Sequence, residues 1–232
     1  MRKVVLSLGG SIIIKGDEDR TYIGQLVKAL RSFPRDTRFV IVTGGGRLAR
    51  EYIGTARELG ADETTLDELG IEATRLNAWL LISALASDCN NDPFRTIEEA
   101  LELSSIHRFV VGGGTHPGHT TDAVSAMIAE RWRADMFVNM TAVPGAHTSD
   151  PKKDPKARRI PKMSSSKLLE LVSSEMMGAG SHSVMDPLAA KVISRSSIRT
   201  FIIDGRDLVS LKNVLKGERF EGTTVAPDGK EV

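Results

Sequence analysis

The sequence predicts an α/β fold in which helices cover both faces of a mainly parallel sheet. Five short segments rich in Val and Ile have the length of strands and are apolar on almost every residue, which is typical of parallel strands buried on both faces. These segments are residues 3–8, 38–42, 108–111, 136–139 and 200–203. Longer segments with helical spacing alternate with them, at residues 22–33, 47–59, 74–86, 123–133 and 187–195. Regular alternation of strand and helix is the pattern of a doubly wound sheet.

Length and composition are those of an ordinary globular protein. The 232 residues can bury a sizeable core, and 41% apolar with 26% charged residues argue against disorder and coiled coil. A formal net charge of +1 and the lack of long apolar runs lead us to expect neither a nucleic-acid partner nor a membrane partner. Cys89 is the single cysteine, and residues 1–15 lack the pattern of a secretion signal, so we expect a cytoplasmic protein.

The chain is expected to form one domain over residues 1–225. We divide it into an N-terminal half of about residues 1–135 and a C-terminal half of about residues 136–225. A polar stretch at residues 148–166, which contains three prolines, is predicted to be a long connection or hairpin. Residues 226–232 form a short polar tail that we expect to be frayed.

Three glycine-rich turns follow predicted strands. They are Gly9-Gly10-Ser11, Gly44-Gly45-Gly46 and Gly112-Gly113-Gly114. Because glycine lacks Cβ, backbone N–H groups in such turns can approach a phosphate closely, and a following helix adds the partial positive charge of its N-terminus. Any one turn alone is equally compatible with a tight structural connection. Three turns at the carboxyl edge of one sheet favour a site for several phosphates, although neither the P-loop motif nor GxGxxG is present.

Two arginines follow the second glycine turn. Arg47 and Arg50 are three residues apart and lie on adjacent positions of the first helical turns, so both could reach one anion. The alternative is that they are solvated surface residues, which is the usual state of an isolated charged side chain. We favour a functional role for Arg50, because it follows the turn so closely.

The segment after the third glycine turn is the strongest local signal. Between Gly113 and Asp122 it reads Gly-Gly-Thr-His-Pro-Gly-His-Thr-Thr-Asp, and Thr120 or Thr121 is suited to cap the next helix. Hydroxyl and N–H groups that converge at a helix start suit a phosphate or the edge of a base. The two histidines of the segment have no cysteine or third histidine nearby to complete a zinc site, so we expect ligand contact or loop structure.

Three carboxylates are candidates for a ribose or for phosphates that carry Mg²⁺: Asp67, Asp150 and Asp186. Each has a structural alternative, respectively a helix cap or first-turn acid, a turn before Pro151, and a cap on the helix that starts at Pro187.

Three further residues are expected to be structural. Trp79 and Trp132 have helical spacing among apolar neighbours and are interpreted as packing residues, and Cys89 as a small buried apolar residue.

Taken together, these motifs resemble the amino acid kinase superfamily, and within it the archaeal-type uridylate (UMP) kinases. The resemblance extends over about residues 2–225, and the segment from Gly113 to Asp122 is its most specific part. It implies transfer of the γ-phosphoryl group of ATP to UMP in pyrimidine nucleotide synthesis, with Mg²⁺ bound to ATP. It also implies a three-layer αβα sandwich with a mainly parallel central sheet, assembled as a homohexamer, with acceptor binding in the N-terminal half and ATP binding in the C-terminal half.

The resemblance also assigns residues to roles, and it assigns no metal ligand. The catalytic set would be Gly9, Gly10, Ser11, Arg50 and Asp186. The UMP site would comprise Gly45, Asp67, Thr115, His116, Pro117, Gly118, His119, Thr120 and Thr121. The ATP site would comprise Gly9, Gly10, Gly46, Arg50, Thr141, His147 and Asp150.

Three positions depart from the pattern of many superfamily members. Ser7 stands where a lysine is common, Ala142 where Asn or Asp is common, and His147 where Tyr is common. Lys15 is a candidate for the missing cation, its alternative being a solvated loop residue. The departures leave open a nucleotide-binding homologue with little or no turnover, or a kinase for another small acceptor, whereas the complete loop from Thr115 to Thr121 favours UMP.

Overall fold

A single seven-stranded sheet forms the centre of the computed structural model, which describes residues 1–14, 19–149, 154–176 and 184–229. Within these ranges the strands are β1 (Arg2–Leu8), β2 (Thr37–Thr43), β3 (Phe109–Gly112), β4 (Met136–Thr141), β5 (Lys162–Ser164), β6 (Thr200–Asp204) and β7 (Thr223–Ala226). Their spatial order is β3-β2-β1-β4-β6-β7-β5. Neighbours pair in parallel except β6 and β7, which are antiparallel.

Helices connect the strands and cover the sheet. They are α1 (Gly10–Ile13), α2 (Asp19–Arg31), α3 (Gly46–Glu58), α4 (Glu63–Leu85), α5 (Ile97–Ile106), α6 (Thr121–Trp132), α7 (Ser165–Met176), α8 (Pro187–Ser196) and α9 (Leu208–Lys216). One hydrophobic cluster joins one sheet face to α2, α4 and α9, and a second joins the other face to α5, α6, α7 and α8. The predicted three-layer αβα sandwich is confirmed.

The two faces of β1 show why its apolar run is continuous. Val4 and Leu6 pack into the cluster with α2 and α4, whereas Val5 packs into the cluster on the opposite face. Because successive strand residues point to opposite sides, a strand with helices on both faces needs apolar residues at nearly every position. Within residues 4–8 of β1, Ser7 is the polar exception and is buried at 2% exposure. Its contact is described with the site.

The five predicted strands are confirmed to within two residues at each end. The predicted helix at residues 74–86 is too short, because α4 begins at Glu63 and its first three turns carry many exposed polar side chains with a weak apolar pattern. Sequence analysis also missed β5, β7, α5, α7 and α9. The two missed strands have three and four residues, too few for a period of two to stand out.

The expectation of a frayed tail from residue 226 is wrong for its first residues. Ala226 is the last residue of β7 and is only 3% exposed. Asp228 accepts hydrogen bonds from the Ser165 and Ser166 hydroxyl groups at the start of α7. These contacts anchor the chain beyond residue 225 to the sheet and to α7, while residues 230–232 lie outside the described ranges.

The packing interpretation is correct for two of three residues. Trp132 is 8% exposed and Cys89 is 2% exposed, so both are buried as expected. The interpretation of Trp79 is wrong, because its side chain is 42% exposed on the outer side of α4.

Among the described residues, no helix combines the length and the apolar composition that are needed to cross a membrane.

Candidate active site

The first two glycine turns pack directly against each other at the carboxyl edge of the sheet. The Gly9 N–H donates to the Met140 carbonyl of β4 at 3.0 Å, and the Gly44 N–H donates to the Leu8 carbonyl of β1 at 2.8 Å. A Cβ added at Gly10 would lie 2.1 Å from the Gly46 nitrogen, so only glycine permits this approach. The two turns therefore form one continuous backbone surface.

A cleft of about 500 Å³ opens above this surface, and we call it the glycine cleft. It is lined by Gly9, Gly10, Ser11, Gly44, Gly45, Gly46, Arg50, Thr120, Thr121, Asp122, Asn139, Met140, Thr141, Ala142, Val184, Met185, Asp186 and Pro187. The helices α3, α6 and α8 all begin at its wall. Three helix N-termini and Arg50 give this cleft a positive potential, which favours an anion such as a phosphate.

A second cleft of about 470 Å³ adjoins the first, and we call it the loop cleft. It is lined by Gly45, Ala49, Ile53, Asp67, Gly70, Ile71, Thr74, Gly114, His116, Gly118, His119, Thr120 and Thr121. Gly45, Thr120 and Thr121 belong to both clefts. A group bound at these three residues is therefore accessible from either side.

Asp67 holds the loop that borders the second cleft. Its Oδ2 accepts a hydrogen bond from the Gly118 N–H at 2.7 Å, and Gly118 has the positive φ of 81° that favours glycine. The structural alternative for Asp67 as a helix cap is wrong, because the N-cap of α4 is Asp62. At the other end of the loop Thr120 caps α6, since its Oγ1 accepts from the Ala123 N–H at 3.2 Å.

Thr115 and Pro117 do not line the loop cleft. They border a separate cavity on the outer side of the loop, together with Arg75 and Glu72 of α4. Thr115 is 8% exposed, and its hydroxyl has no hydrogen-bond partner among the described residues. The structure thus brings five of the seven predicted loop residues to the cleft and turns two of them away.

The two arginines of α3 have different environments. Arg50 lines the glycine cleft, as predicted. The Arg47 side chain is 75% exposed and pairs with Glu51 at 3.3 Å, which agrees with the surface interpretation, and Arg47 does not line the glycine cleft.

Asp186 is both a helix cap and a residue of the cleft wall. Its Oδ1 accepts from the Ala189 N–H at 3.0 Å and so caps α8, and the residue also lines the glycine cleft. Thr141 lines the same cleft, but His147 does not, and its Nδ1 lies 3.0 Å from the Gly145 carbonyl oxygen. Asp150 and Lys15 lie outside the described residues.

Asp122 is a functional candidate that sequence analysis left out. It lines the glycine cleft at the first turn of α6, and its Oδ1 accepts from the Ser7 hydroxyl at 2.7 Å. Burial raises the pKa of the Asp122 carboxyl, the hydrogen bond from Ser7 opposes that shift, and the nearby negative charge of Asp186 adds to it. Its position directly after two threonines at a helix start was the available signal, but such an acid is usually read as a helix-dipole residue.

The hydrogen bond to Asp122 gives a local role to Ser7, which stands where many superfamily members have a lysine. Ser7 lies beneath the cleft rather than in its wall, and its hydroxyl group is committed to Asp122. Ala142 lies in the wall itself. In the described part of the chain, no group of three or more His, Cys, Asp or Glu residues is arranged to hold a metal ion.

Comparison with known proteins gives a family and close relatives. The model of the amino acid kinase family matches residues 2–204. The chain is 48% identical over 224 residues to the uridylate kinase of Archaeoglobus fulgidus, which covers 97% of this chain and 100% of that protein. It is 46% identical over 225 residues to the uridylate kinase of Methanothrix thermoacetophila, which covers 96% of this chain and 98% of that protein.

Solved structures give the same result for the fold. The crystal structure of uridylate kinase from Archaeoglobus fulgidus matches with a TM-score of 0.87 at 46% identity, over 97% of this chain and 100% of that chain. The UMP kinase from Bacillus anthracis matches with a TM-score of 0.78 at 21% identity, over 98% of this chain and 97% of that chain, which supports the fold alone.

Proposed function

Because the chain belongs to the amino acid kinase family, we propose that it is an ATP-dependent UMP kinase, a phosphotransferase of pyrimidine nucleotide synthesis that converts UMP and ATP to UDP and ADP. The observation that carries this proposal is the meeting of two clefts at Gly45, Thr120 and Thr121. A donor in one cleft and an acceptor in the other have their phosphates adjacent there. The relatives named uridylate kinase supply the identity of the acceptor.

The loop cleft is the proposed acceptor site. Asp67 offers a carboxylate to the ribose hydroxyl groups, and the hydroxyl and N–H groups of Gly45, Thr120 and Thr121 face the UMP phosphate. His116, Gly118 and His119 line the part of the cleft where uracil would lie. Thr115 and Pro117 belong to this site through the loop they help to shape, rather than through direct contact with the cleft.

The glycine cleft is the proposed donor site. The backbone of Gly9, Gly10 and Gly46 and the Ser11 side chain surround the ATP phosphates, and the Arg50 guanidinium offsets their charge. Thr141 lines the side toward the adenosine, and Asp150 remains a prediction for the ATP site. The N-terminal half, to about residue 135, thus provides the acceptor site and part of the phosphate site, and the half from about residue 136 provides the remainder.

The chemistry needs positioning and charge neutralisation more than a base. The UMP phosphate is already anionic, so it attacks the γ-phosphorus in line without losing a proton to the protein. The N-termini of α3 and α6 direct N–H groups toward the shared point, where the transferred phosphoryl group passes, and Arg50 is beside it. These groups are fixed by the sheet before substrate binds.

Mg²⁺ bound with ATP fits the glycine cleft. The Asp122 and Asp186 carboxylates both line it, and oxygen atoms are the ligands that Mg²⁺ prefers. The chemistry that bound Mg²⁺ supplies is neutralisation of charge on the phosphate oxygens. Its presence would also favour the ionised form of the Asp122 carboxyl, whose pKa is raised by burial.

We also propose a homohexamer in the cytoplasm. Leu76, Trp79 and Leu80 lie on one side of α4, spaced three and four residues apart, with exposed fractions of 56%, 42% and 42%. A contiguous apolar surface of this kind supports contact with a second copy of the chain. The single cysteine, free and buried, fits a reducing compartment.

An ADP-release assay with ATP and Mg²⁺ tests the proposal. UMP, CMP, aspartate, acetylglutamate and carbamate serve as acceptors at equal concentration. We expect UMP to give the highest kcat/KM, and no turnover with the amino acids or carbamate. UMP binding without turnover would instead identify a nucleotide-binding homologue, and turnover with a carboxylate acceptor would identify another kinase of the family.

A further inference from the structure

The second glycine turn is held from behind by a buried amide of α4. Asn77 is 1% exposed, and its Nδ2 donates to the carbonyl oxygens of Gly44 at 2.7 Å and Gly45 at 3.2 Å. Both neighbours are acceptors, so the amino group and not the Oδ1 must face them. Asn77 itself lines neither cleft.

The two hydrogen bonds from Asn77 help to fix how the turn presents its donors, together with the Ala49 N–H, which also donates to the Gly45 carbonyl at 3.3 Å. In a planar trans peptide the N–H of the next residue points opposite to the carbonyl. When Asn77 holds the Gly44 and Gly45 carbonyls toward α4, the N–H groups of Gly45 and Gly46 point away from those carbonyls, and both glycines line the glycine cleft. Neither N–H donates a hydrogen bond to another residue in the described ranges, so both are available to a ligand.

A second residue of α4, one turn earlier, holds the neighbouring turn in the same way. The Thr74 hydroxyl accepts from the Gly114 N–H at 2.7 Å, and the Thr74 carbonyl accepts from the Thr43 hydroxyl at 2.8 Å. Residues 74 and 77 are three apart and therefore lie on one face of the helix. That face contacts the turns after both β2 and β3.

The Asn77 side chain has one buried polar atom without a hydrogen bond, which lowers the stability of the folded protein. Its Oδ1 is buried and has no hydrogen-bond partner among the described residues. An unpaired buried acceptor is unfavourable, and this cost is borne at a position whose amide donates to two backbone carbonyls of the glycine turn.

From these contacts we propose that Asn77 is a positioning residue for phosphoryl transfer, which acts by orienting the Gly45 and Gly46 N–H groups toward the phosphates. The proposal rests on the proposed kinase function and adds to it a residue that contacts no substrate. Displacement of donors by about 1 Å can lower a rate about a hundredfold, so an amide behind the turn can matter as much as one within it.

The test compares Asn77→Ala with a control variant, Asn90→Ala, which removes a similarly buried amide away from both clefts. Asn90 is also 1% exposed and bonds to backbone, with its Nδ2 donating to the Val111 carbonyl at 2.8 Å, but it lines neither cleft. We expect Asn77→Ala to lower kcat at least tenfold per folded molecule, a larger effect than any rise in the dissociation constant of UMP, whose phosphate faces the Gly45 N–H. Asn90→Ala should lower the melting temperature and leave kcat per folded molecule within twofold.

Backbone amide spectra of glycine-labelled protein give a readout that does not need turnover. In the parent protein, addition of UMP and ADP should shift the Gly45 and Gly46 amide signals downfield, and Asn77→Ala should abolish most of that shift while Asn90→Ala retains it. If Asn77→Ala does not fold, Asn77→Ser is measured in the same way. Unchanged kcat or unchanged amide shifts in the folded Asn77 variant would overturn the proposal for Asn77. If instead the parent protein has no kinase activity but its amide shifts still depend on Asn77, only the proposed kinase function would be overturned.

Discussion

Asp67 combines two tasks at the acceptor site. It holds the loop through the Gly118 N–H, and it also lines the loop cleft. We expect Asp67→Asn to raise KM for UMP about tenfold or more with little change in KM for ATP, because a hydrogen bond to a charged group contributes about 1.5–3 kcal/mol. Initial rates with each nucleotide varied in turn measure both constants.

Glu68→Gln is the control for the Asp67 variant. Glu68 is the next acid of α4 and borders the outer cavity rather than the loop cleft. Its substitution should leave both KM values unchanged. Equal increases in KM for UMP and for ATP in Asp67→Asn would show that the residue maintains the whole site rather than the ribose contact.

Arg50 and Arg47 form a natural pair for testing charge at the phosphates. Arg50 lines the glycine cleft, whereas Arg47 is paired with Glu51 on the surface. We expect Arg50→Ala to lower kcat and kcat/KM together, each by at least tenfold, because a contact that strengthens in the transition state acts on both. Arg47→Ala should retain both parameters. A lower melting temperature with normal kinetics in Arg50→Ala would assign Arg50 to stability.

At the scale of the element, α4 depends on its N-cap. Asp62 accepts from the Thr65 N–H at 3.0 Å and from the Thr65 hydroxyl at 2.9 Å, and these bonds lower the pKa of the Asp62 carboxyl. Since the pKa is lower in the folded state, the stabilisation is complete above the ordinary value of about 4 and is lost as pH falls through the lowered value.

Asp62→Ala should therefore lower the melting temperature by a few degrees at pH 7, and the difference from the parent protein should shrink as pH falls below about 4. Thermal unfolding followed by circular dichroism between pH 7 and pH 3 measures both. Asp62→Asn, which keeps an acceptor without the charge, should show a smaller difference at pH 7, and this difference should also shrink below about pH 4 as the parent carboxylate is protonated. A difference for Asp62→Ala that is equal at pH 7 and pH 3 would refute a role for the ionised carboxylate.

Elements differ in how far the sequence predicts them. Strands such as β1 and β2 are predictable because burial on both faces demands a continuous apolar run. The glycine turns are predictable as a site because the carboxyl ends of parallel strands meet at one edge. The first half of α4 is not predictable from apolar periodicity, since its outer residues are polar and its inner ones face the loop cleft.

Side chains that act through another group were also missed. Asp122 reads locally as a helix N-terminal acid and Asn77 as an ordinary helix residue, and neither spacing nor composition shows what they contact. Their partners, Ser7 and Gly44, are 115 and 33 residues away in the chain. Only the packing of the sheet and helices brings these residues together.

For the whole molecule, the exposed side of α4 is the proposed contact between copies. We expect Trp79→Glu to lower the molecular mass measured by sedimentation, because a charge on this surface opposes burial. Ile106→Glu is the control, since Ile106 is 72% exposed at the end of α5 and lies outside this surface. An unchanged mass in Trp79→Glu would place the contact elsewhere.

The proposed function requires that the site consist of two clefts that share a phosphate position. A crystal structure with UMP and a non-hydrolysable ATP analogue tests this requirement directly. The account predicts UMP in the loop cleft with its ribose at Asp67, the analogue in the glycine cleft beside Ser11, and the two terminal phosphates meeting at Gly45 and Thr120. UMP in the glycine cleft, or both nucleotides away from Gly45, would contradict it.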